Sequence, residues 1–162
     1  MAPPEFLLTA AKPHIVLGED DRLHVYYDTE HIPTIGVGIN LLVHDVRALC
    51  QKCGADYTAL LAGTADLTPE QSNFLYEQKA IQTIEWLSRL FPAYFTYSLP
   101  RQIALLDMGY NLGEPRFRGF RKMISAILQG DWAEASKQAE KSEWDREVGA
   151  RATRDADALA NG

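Results

Sequence analysis

The chain has 162 residues, 46% of them hydrophobic and 23% charged, which is typical of a soluble globular protein that buries its own core. Its net charge of −6 argues against nucleic-acid binding, which calls for a basic surface. No apolar run is long enough to cross a bilayer, so stable membrane insertion is not expected. The first residues lack the basic segment of a secretory signal, and we therefore expect the product to accumulate in the cytoplasm of its producing cell.

The first predicted element is a helix. Residues 1–10 have the character of a short N-terminal extension, and the pattern predicts a helix over about 12–20. Pro13 is acceptable there because a proline fits the first turn of a helix.

A small antiparallel sheet is predicted next. Leu23, Val25 and Tyr27 alternate with polar or amphipathic residues, and residues 28–31 supply turn chemistry. Residues 34–39 then predict a second strand, whose glycines indicate a bulge or a close approach of the backbone to a neighbour.

The remainder of the chain predicts helices. Thr68 as N-cap, Pro69 in the first turn and Gln71 completing a capping box begin a long helix that should end near Phe91 and Pro92. Further helices are predicted at about 99–112, 117–129, 131–141 and 149–159. The predicted fold class is α+β, in one domain of two lobes: a small N-terminal sheet lobe (about 11–67), an interlobe helix (about 68–90) and an all-helical C-terminal lobe (about 91–162).

Cys50 and Cys53 form an isolated C-x-x-C pair within a predicted helix. A zinc site would need two further ligands at suitable spacing, and a redox motif would need a βαβ setting. We therefore interpret the pair as two reduced thiols one helical turn apart.

Glu19 lies at the end of the predicted helix, and Asp28 lies in the predicted hairpin turn. Thr34 begins the next predicted strand. Glycoside hydrolysis needs two carboxyl groups in unlike environments, one protonated and one ionised. Spacing alone favours the alternative of solvated surface charges, because a chain with 22 acidic residues offers many such pairs.

The same segment carries a longer pattern. Gly18-Glu19, Tyr27-Asp28-Thr29 and Thr34-Ile35-Gly36-Val37-Gly38 resemble, without a gap, the active-site signature of the T-even phage lysozymes, glycoside hydrolase family 24. The likeness extends through residues 104–113 and on to Arg151-Ala152. It therefore spans nearly the whole chain beyond the first ten residues.

This resemblance implies a role for each signature residue. Glu19 corresponds to the general acid, Asp28 to the carboxylate that activates water, and Thr34 to a residue that helps to hold this water. The family resembled is inverting, so the carboxyl groups should stand far enough apart to admit a water. The resemblance implies no metal or organic cofactor, and a glycan-binding cleft between the lobes.

Glycan contacts are also implied by the family register. They are Asn40, Tyr110, Met123 and Gln138. Met123 also fits a buried helix residue that fills a gap, and Tyr110 also fits core packing.

Three features depart from the family pattern. Asp20-Asp21 follows Glu19 where the family usually has glycine, and Ile39-Asn40 stands where a histidine is common. The chain is acidic as a whole, although it has one basic cluster, formed by Arg116, Arg118, Arg121 and Lys122.

The function implied is that of an endolysin. Such a muramidase hydrolyses the β-1,4 bond between N-acetylmuramic acid and N-acetylglucosamine in peptidoglycan. We expect a monomer that is made in the host cytoplasm, reaches the periplasm with help from a holin-like pore, and lyses the host at the end of a phage cycle. The alternatives are a lysozyme-fold toxin or effector, and a catalytically silent peptidoglycan-binding protein.

Overall fold

The computed structural model describes residues 4–162, apart from the side chains of Glu143, Asp145 and Arg146. Its elements follow the order α1 (Glu5–Glu19), β1 (Arg22–Tyr27), β2 (Pro33–Gly36), β3 (Ile39–Asn40), α2 (Val46–Lys52), α3 (Tyr57–Ala62), α4 (Pro69–Leu90), α5 (Leu99–Leu112), α6 (Glu114–Arg118), α7 (Arg121–Leu128), α8 (Trp132–Glu140), α9 (Glu143–Val148) and α10 (Ala150–Asn161). A single 3-10 turn, Tyr94–Thr96, precedes α5. One small antiparallel sheet with many helices confirms the predicted α+β class. Of the described helices, none combines the length and apolar character of a membrane span.

Helix α1 begins at Glu5, so the prediction of an extension over residues 1–10 is wrong wherever the structure describes them; residues 1–3 lie outside the described part. Leu7, Ala11 and Ile15 recur every four residues and are fully buried. This spacing places them on one face of the helix. Pro13 consequently lies inside the helix rather than in its first turn.

The sheet has the order β1-β2-β3, with both pairs antiparallel. The predicted single strand over 34–39 is wrong, because β2 ends at Gly36 and β3 begins only at Ile39. Gly36 and Gly38 have φ of +58° and +62°, in the left-handed region that interrupts a strand and favours glycine. One face of the sheet carries Ile35 and Ile39, which pack into a buried cluster.

The long helix α4 begins as predicted. The backbone amide of Gln71 donates to Thr68 Oγ1 (3.1 Å), and the amide of Thr68 donates to Gln71 Oε1 (2.9 Å). These reciprocal bonds are the capping box. The helix ends at Leu90, next to the predicted stop at Phe91 and Pro92.

The later helices follow the predicted pattern with two differences. Helices α5, α8 and α10 occupy the predicted segments within about two residues, which is the usual uncertainty of a helix end. The predicted helix at 117–129 is instead two helices, α6 and α7, because the chain turns at Gly119 and Phe120. Helix α9 was not predicted.

The cysteines lie at the end of α2, and both are free thiols. Cys50 is fully buried, and this burial raises its pKa to about 11. Cys53 Sγ donates to the carbonyl oxygen of Cys50 at 3.3 Å. Cys50 therefore lies in the helix and Cys53 caps its end, while the reduced state of the two thiols stays a prediction.

The chain packs as two compact units. One comprises Ile15–Ala80 and contains the whole sheet. The other combines the residues up to His14 with Ile81–Gly162. Helices α1 and α4 each contribute residues to both units.

A buried charged group lies inside the second unit. The Asp107 carboxylate accepts hydrogen bonds from Arg151 Nη2 (2.6 Å) and Arg154 Nη2 (2.9 Å). Asp155 lies beside them with 1% of its surface exposed, and its Oδ1 is 3.8 Å from Arg154 Nε. Burial raises the pKa of Asp155 well above its ordinary value, and the neighbouring Asp107 carboxylate raises it further. His14 lies beside the same group. Burial lowers the pKa of His14, and the Arg154 guanidinium lowers it further.

Candidate active site

Glu19 is the last residue of α1, and its carboxyl group packs against the backbone of Gly38. A β-carbon at position 38 would collide with Glu19 Oε2 and would lie 2.9 Å from Glu19 Cδ. Lys79 Nζ donates to the carbonyl oxygen of Gly38 at 3.0 Å and so holds this backbone in place. The glycine is therefore required for two reasons: its positive φ, and the space that the acid occupies.

The two aspartates after Glu19 are each bound to another partner. Asp20 has φ of +66°, and its carboxylate accepts from its neighbour Asp21's amide (2.8 Å) and from Arg22 Nε (3.1 Å). The Asp21 bond and the Arg22 bond both lower the pKa of Asp20. Asp21 accepts from Ser72 Oγ at 2.6 Å. The family resembled usually has glycine at this position, and glycine readily takes the left-handed conformation that Asp20 adopts. The Asp20 side chain supports this turn through its own hydrogen bonds.

Asp28 lies in the turn between β1 and β2, and the backbone fixes its orientation. Its Oδ1 accepts from the amides of Glu30 (2.8 Å) and Ile32 (2.9 Å). Both bonds use the same oxygen, so Oδ2 is the atom left for chemistry. His31 has φ of +60°, and its amide donates to the Asp28 carbonyl oxygen, which makes His31 a residue that shapes the turn.

Thr34 lies in β2 and is 6% exposed. It pairs with Tyr26 of β1 and with Asn40 of β3. Directly paired residues of antiparallel strands project to the same face of a sheet. Because Ile35 and Ile39 occupy the core face, Tyr26, Thr34 and Asn40 form a row on the opposite face. We call this set the polar row.

Local hydrogen bonds orient two members of the polar row. Thr34 Oγ1 donates to the carbonyl oxygen of Ile32 at 3.0 Å, which leaves its lone pairs as acceptors. Asn40 Oδ1 accepts from the amide of Leu42 at 2.8 Å, which directs its amide nitrogen outward as a donor.

The predicted signature residues and Asn40 therefore belong to one compact unit. Sequence reasoning missed two other residues there. Gly38 was seen only as a strand glycine, although its positive φ and its contact with Glu19 make it part of the site. Tyr26 was seen only as a strand residue, and its strand register opposite Thr34 was the signal available.

The other predicted glycan contacts lie in the second unit. Tyr110 and Met123 are 1% exposed, whereas Gln138 is half-buried and donates to Glu134 Oε1 at 2.6 Å. Met123 and Gln138 line a cavity of about 350 Å³. Their contact with glycan stays a prediction.

The basic cluster is only partly available for a ligand. Arg116 pairs with Glu147 (3.0 Å), and Arg118 pairs with Glu114 (2.8 Å). Arg121 and Lys122 line the same 350 Å³ cavity. As for metals, the described residues include no group of three or more His, Cys, Asp or Glu side chains placed to hold an ion.

Comparison with known proteins identifies several with similar sequences. No protein-family model matches the chain. The chain is 31% identical over 143 residues to the "Pre-baseplate central spike protein Gp5" of Enterobacteria phage T4, a match that covers 82% of the chain and only 24% of the spike protein. It is 26% and 25% identical to "Probable T4-type lysozyme 2" and "Probable T4-type lysozyme 1" of Dictyostelium discoideum, over 91% of the chain and 92% of each relative. These similarities and the α+β fold together support a lysozyme-like protein related to the T4-type lysozymes.

Proposed function

We propose that this chain is a muramidase of glycoside hydrolase family 24, which hydrolyses the β-1,4 bond between N-acetylmuramic acid and N-acetylglucosamine in peptidoglycan. The observation that carries the proposal is the geometry of one unit: Glu19 packed on Gly38, Asp28 oriented by two amides, and Thr34 between the outer strands. The similarity to T4-type lysozymes supports it.

In the proposed reaction Glu19 protonates the leaving glycosidic oxygen. Asp28 Oδ2 accepts a proton from the attacking water, while Thr34 Oγ1 accepts a hydrogen bond from it. Water attacks the anomeric carbon from the face opposite the leaving group, so the product has inverted configuration. Every proton transfer uses a side chain of the protein, and the reaction calls for no cofactor.

The test uses outer-membrane-permeabilised Gram-negative cells. Wild type should clear the suspension and release reducing muramic acid ends. Glu19→Gln should be slower by about 10²- to 10⁴-fold, because the general acid is lost while the shape of the side chain is kept. Glu30→Gln, an exposed carboxylate on the same hairpin, is the matched control and should stay near wild type.

Either of two results would reject the proposal. A folded wild type that binds peptidoglycan without releasing reducing ends would indicate a silent binding protein. Full lysis by Glu19→Gln would place the acid elsewhere. Inversion is tested separately, by using NMR to identify the anomer of the product that is released first.

We further propose host lysis as the biological role, with the chain made as a monomer in the host cytoplasm and released to the periplasm through a holin-like pore. The similarity to a protein of phage T4 links the chain to phages, and the lytic role rests on the proposed muramidase activity. Expression in a Gram-negative host should lyse cells only when a pore-forming protein is co-expressed. Lysis without the pore would contradict it, and an external toxin or effector role would then be favoured.

A further inference from the structure

Tyr26 is the member of the polar row that nothing so far assigns to the reaction. We propose that Tyr26 is a sugar-contacting residue, whose hydroxyl group donates a hydrogen bond to the glycan beside Glu19 and Asp28. This proposal rests on the proposed function and adds a specific donor to its substrate site.

The first argument is position. Tyr26 pairs directly with Thr34, and Asp28 lies two residues after Tyr26, in the turn that follows the same strand. The Tyr26 side chain therefore lies on the same face of the sheet as Thr34, which is proposed to hold the attacking water. It is partly buried, so part of its surface remains open to a ligand.

The second argument is charge. Burial raises the pKa of Tyr26 and the Glu19 carboxylate raises it next, whereas Arg22 lowers it and Asp20 and Asp28 have smaller raising effects. The carboxylates of both proposed catalytic residues thus favour the neutral phenol. A phenol with a raised pKa stays neutral at any pH at which a lysozyme could be assayed, and it keeps its one O–H donor.

The third argument is rigidity. The guanidinium carbon of Arg22 lies 4.6 Å from the centre of the Tyr26 ring, and Arg22 is in turn paired with Asp20 at 3.1 Å. A cation stacked on a ring restrains the ring through the attraction of its π face. Asp20 stands where the family resembled usually has glycine. By pairing with Arg22, it helps to hold the guanidinium group on the Tyr26 ring.

The fourth argument is the hydroxyl group itself. Among the described residues, none makes a hydrogen bond with the Tyr26 hydroxyl. A restrained donor with no protein acceptor, next to two carboxyl groups, suits a sugar hydroxyl or an acetamido oxygen. Its ring is held in advance, so little ordering is required when the ligand binds.

The experiment measures affinity for soluble, uncrosslinked glycan strands in a Glu19→Gln background, and hydrolysis of the same strands in the wild-type background. Tyr26→Phe removes only the hydroxyl group and should weaken affinity and lower kcat/KM by about 3- to 10-fold, the effect of one hydrogen bond. Tyr27→Phe, the exposed neighbour whose side chain projects to the other face, should match its parent in both assays.

A second variant keeps the hydroxyl group and loosens the ring. Arg22→Leu should weaken affinity by about 2- to 4-fold, the effect of one exposed cation–π contact. Unchanged affinity and kcat/KM in Tyr26→Phe would overturn the inference while leaving the muramidase proposal intact. A wild type that neither binds nor cleaves the strands would overturn both.

Discussion

The contact between Glu19 and Gly38 ties the proposed acid to one backbone position. Gly38→Ala should lose at least 10²-fold in activity, because the new methyl group would occupy the space of the Glu19 carboxyl group. It should also lose about 1–2 kcal/mol of stability, the cost of a left-handed residue with a β-carbon. Cell-clearing rates and urea unfolding measure the two effects.

Gly54→Ala is the matched control for this change. Gly54 has φ of +74°, and nothing lies within 4 Å of an added β-carbon. It should therefore show the same loss of stability with near-normal activity. Equal activity in the two variants would mean that the space beside Glu19 is not needed.

At the residue scale, the sequence predicts site residues that lie close together along the chain. Glu19, Asp28 and Thr34 fall within 16 residues, and the turn and two strands place them in one unit. The sequence did not reveal the hydrogen-bond partner of Asp21, since Ser72 is 51 residues away from it. Partners that distant depend on tertiary packing, which a local pattern does not contain.

At the scale of the elements, the capping box of α4 contributes stability without touching the site. Thr68→Ala should destabilise the protein by about 1 kcal/mol, because it leaves the Gln71 amide without its acceptor. Thr68→Ser keeps the acceptor and should remain within a few tenths of a kcal/mol of wild type. Urea unfolding distinguishes them, and an equal loss in both variants would assign the effect to the methyl group instead.

Prediction of the elements was reliable where end signals were strong and wrong where burial decided. Thr68, Pro69 and Gln71 mark the start of α4 by local chemistry alone. The start of α1 depends on Leu7 and Ala11 finding a core, which outweighs the helix-breaking tendency of Pro13. The break between β2 and β3 depends on a positive φ at Gly36 and Gly38. A glycine in the sequence permits a positive φ but does not require it.

At the scale of the whole molecule, the buried group around Asp155 makes stability depend on pH. Because the folded state raises the pKa of Asp155, its contribution is fully present below the ordinary aspartate pKa and is lost as pH rises toward the raised value. Asp155→Asn removes this titration. The variant should therefore gain stability relative to wild type as pH rises from about 4 to about 8.

Urea unfolding at several pH values measures this difference. Arg151, Arg154, Asp107 and His14 are present in both proteins. His14 has a lowered pKa and costs stability as pH falls, so its effect is shared and cancels in the comparison. Asp157→Asn, which removes an exposed carboxylate from the same helix, is the matched control for the lost charge. A difference between Asp155→Asn and wild type that does not change with pH would refute the assignment.

The discontinuous unit has a consequence for synthesis. Residues 4–14 are synthesised before the segment Ile15–Ala80, yet they pack with Ile81–Gly162, which are synthesised after it. The segment Ile15–Ala80 contains all three strands and is complete once Ala80 has been made. Domains fold as units during synthesis, N-terminal first. The unit that contains Glu19 and Asp28 can thus be complete while Leu7 and Ala11 still expose their apolar face, until Ile81–Gly162 have been synthesised.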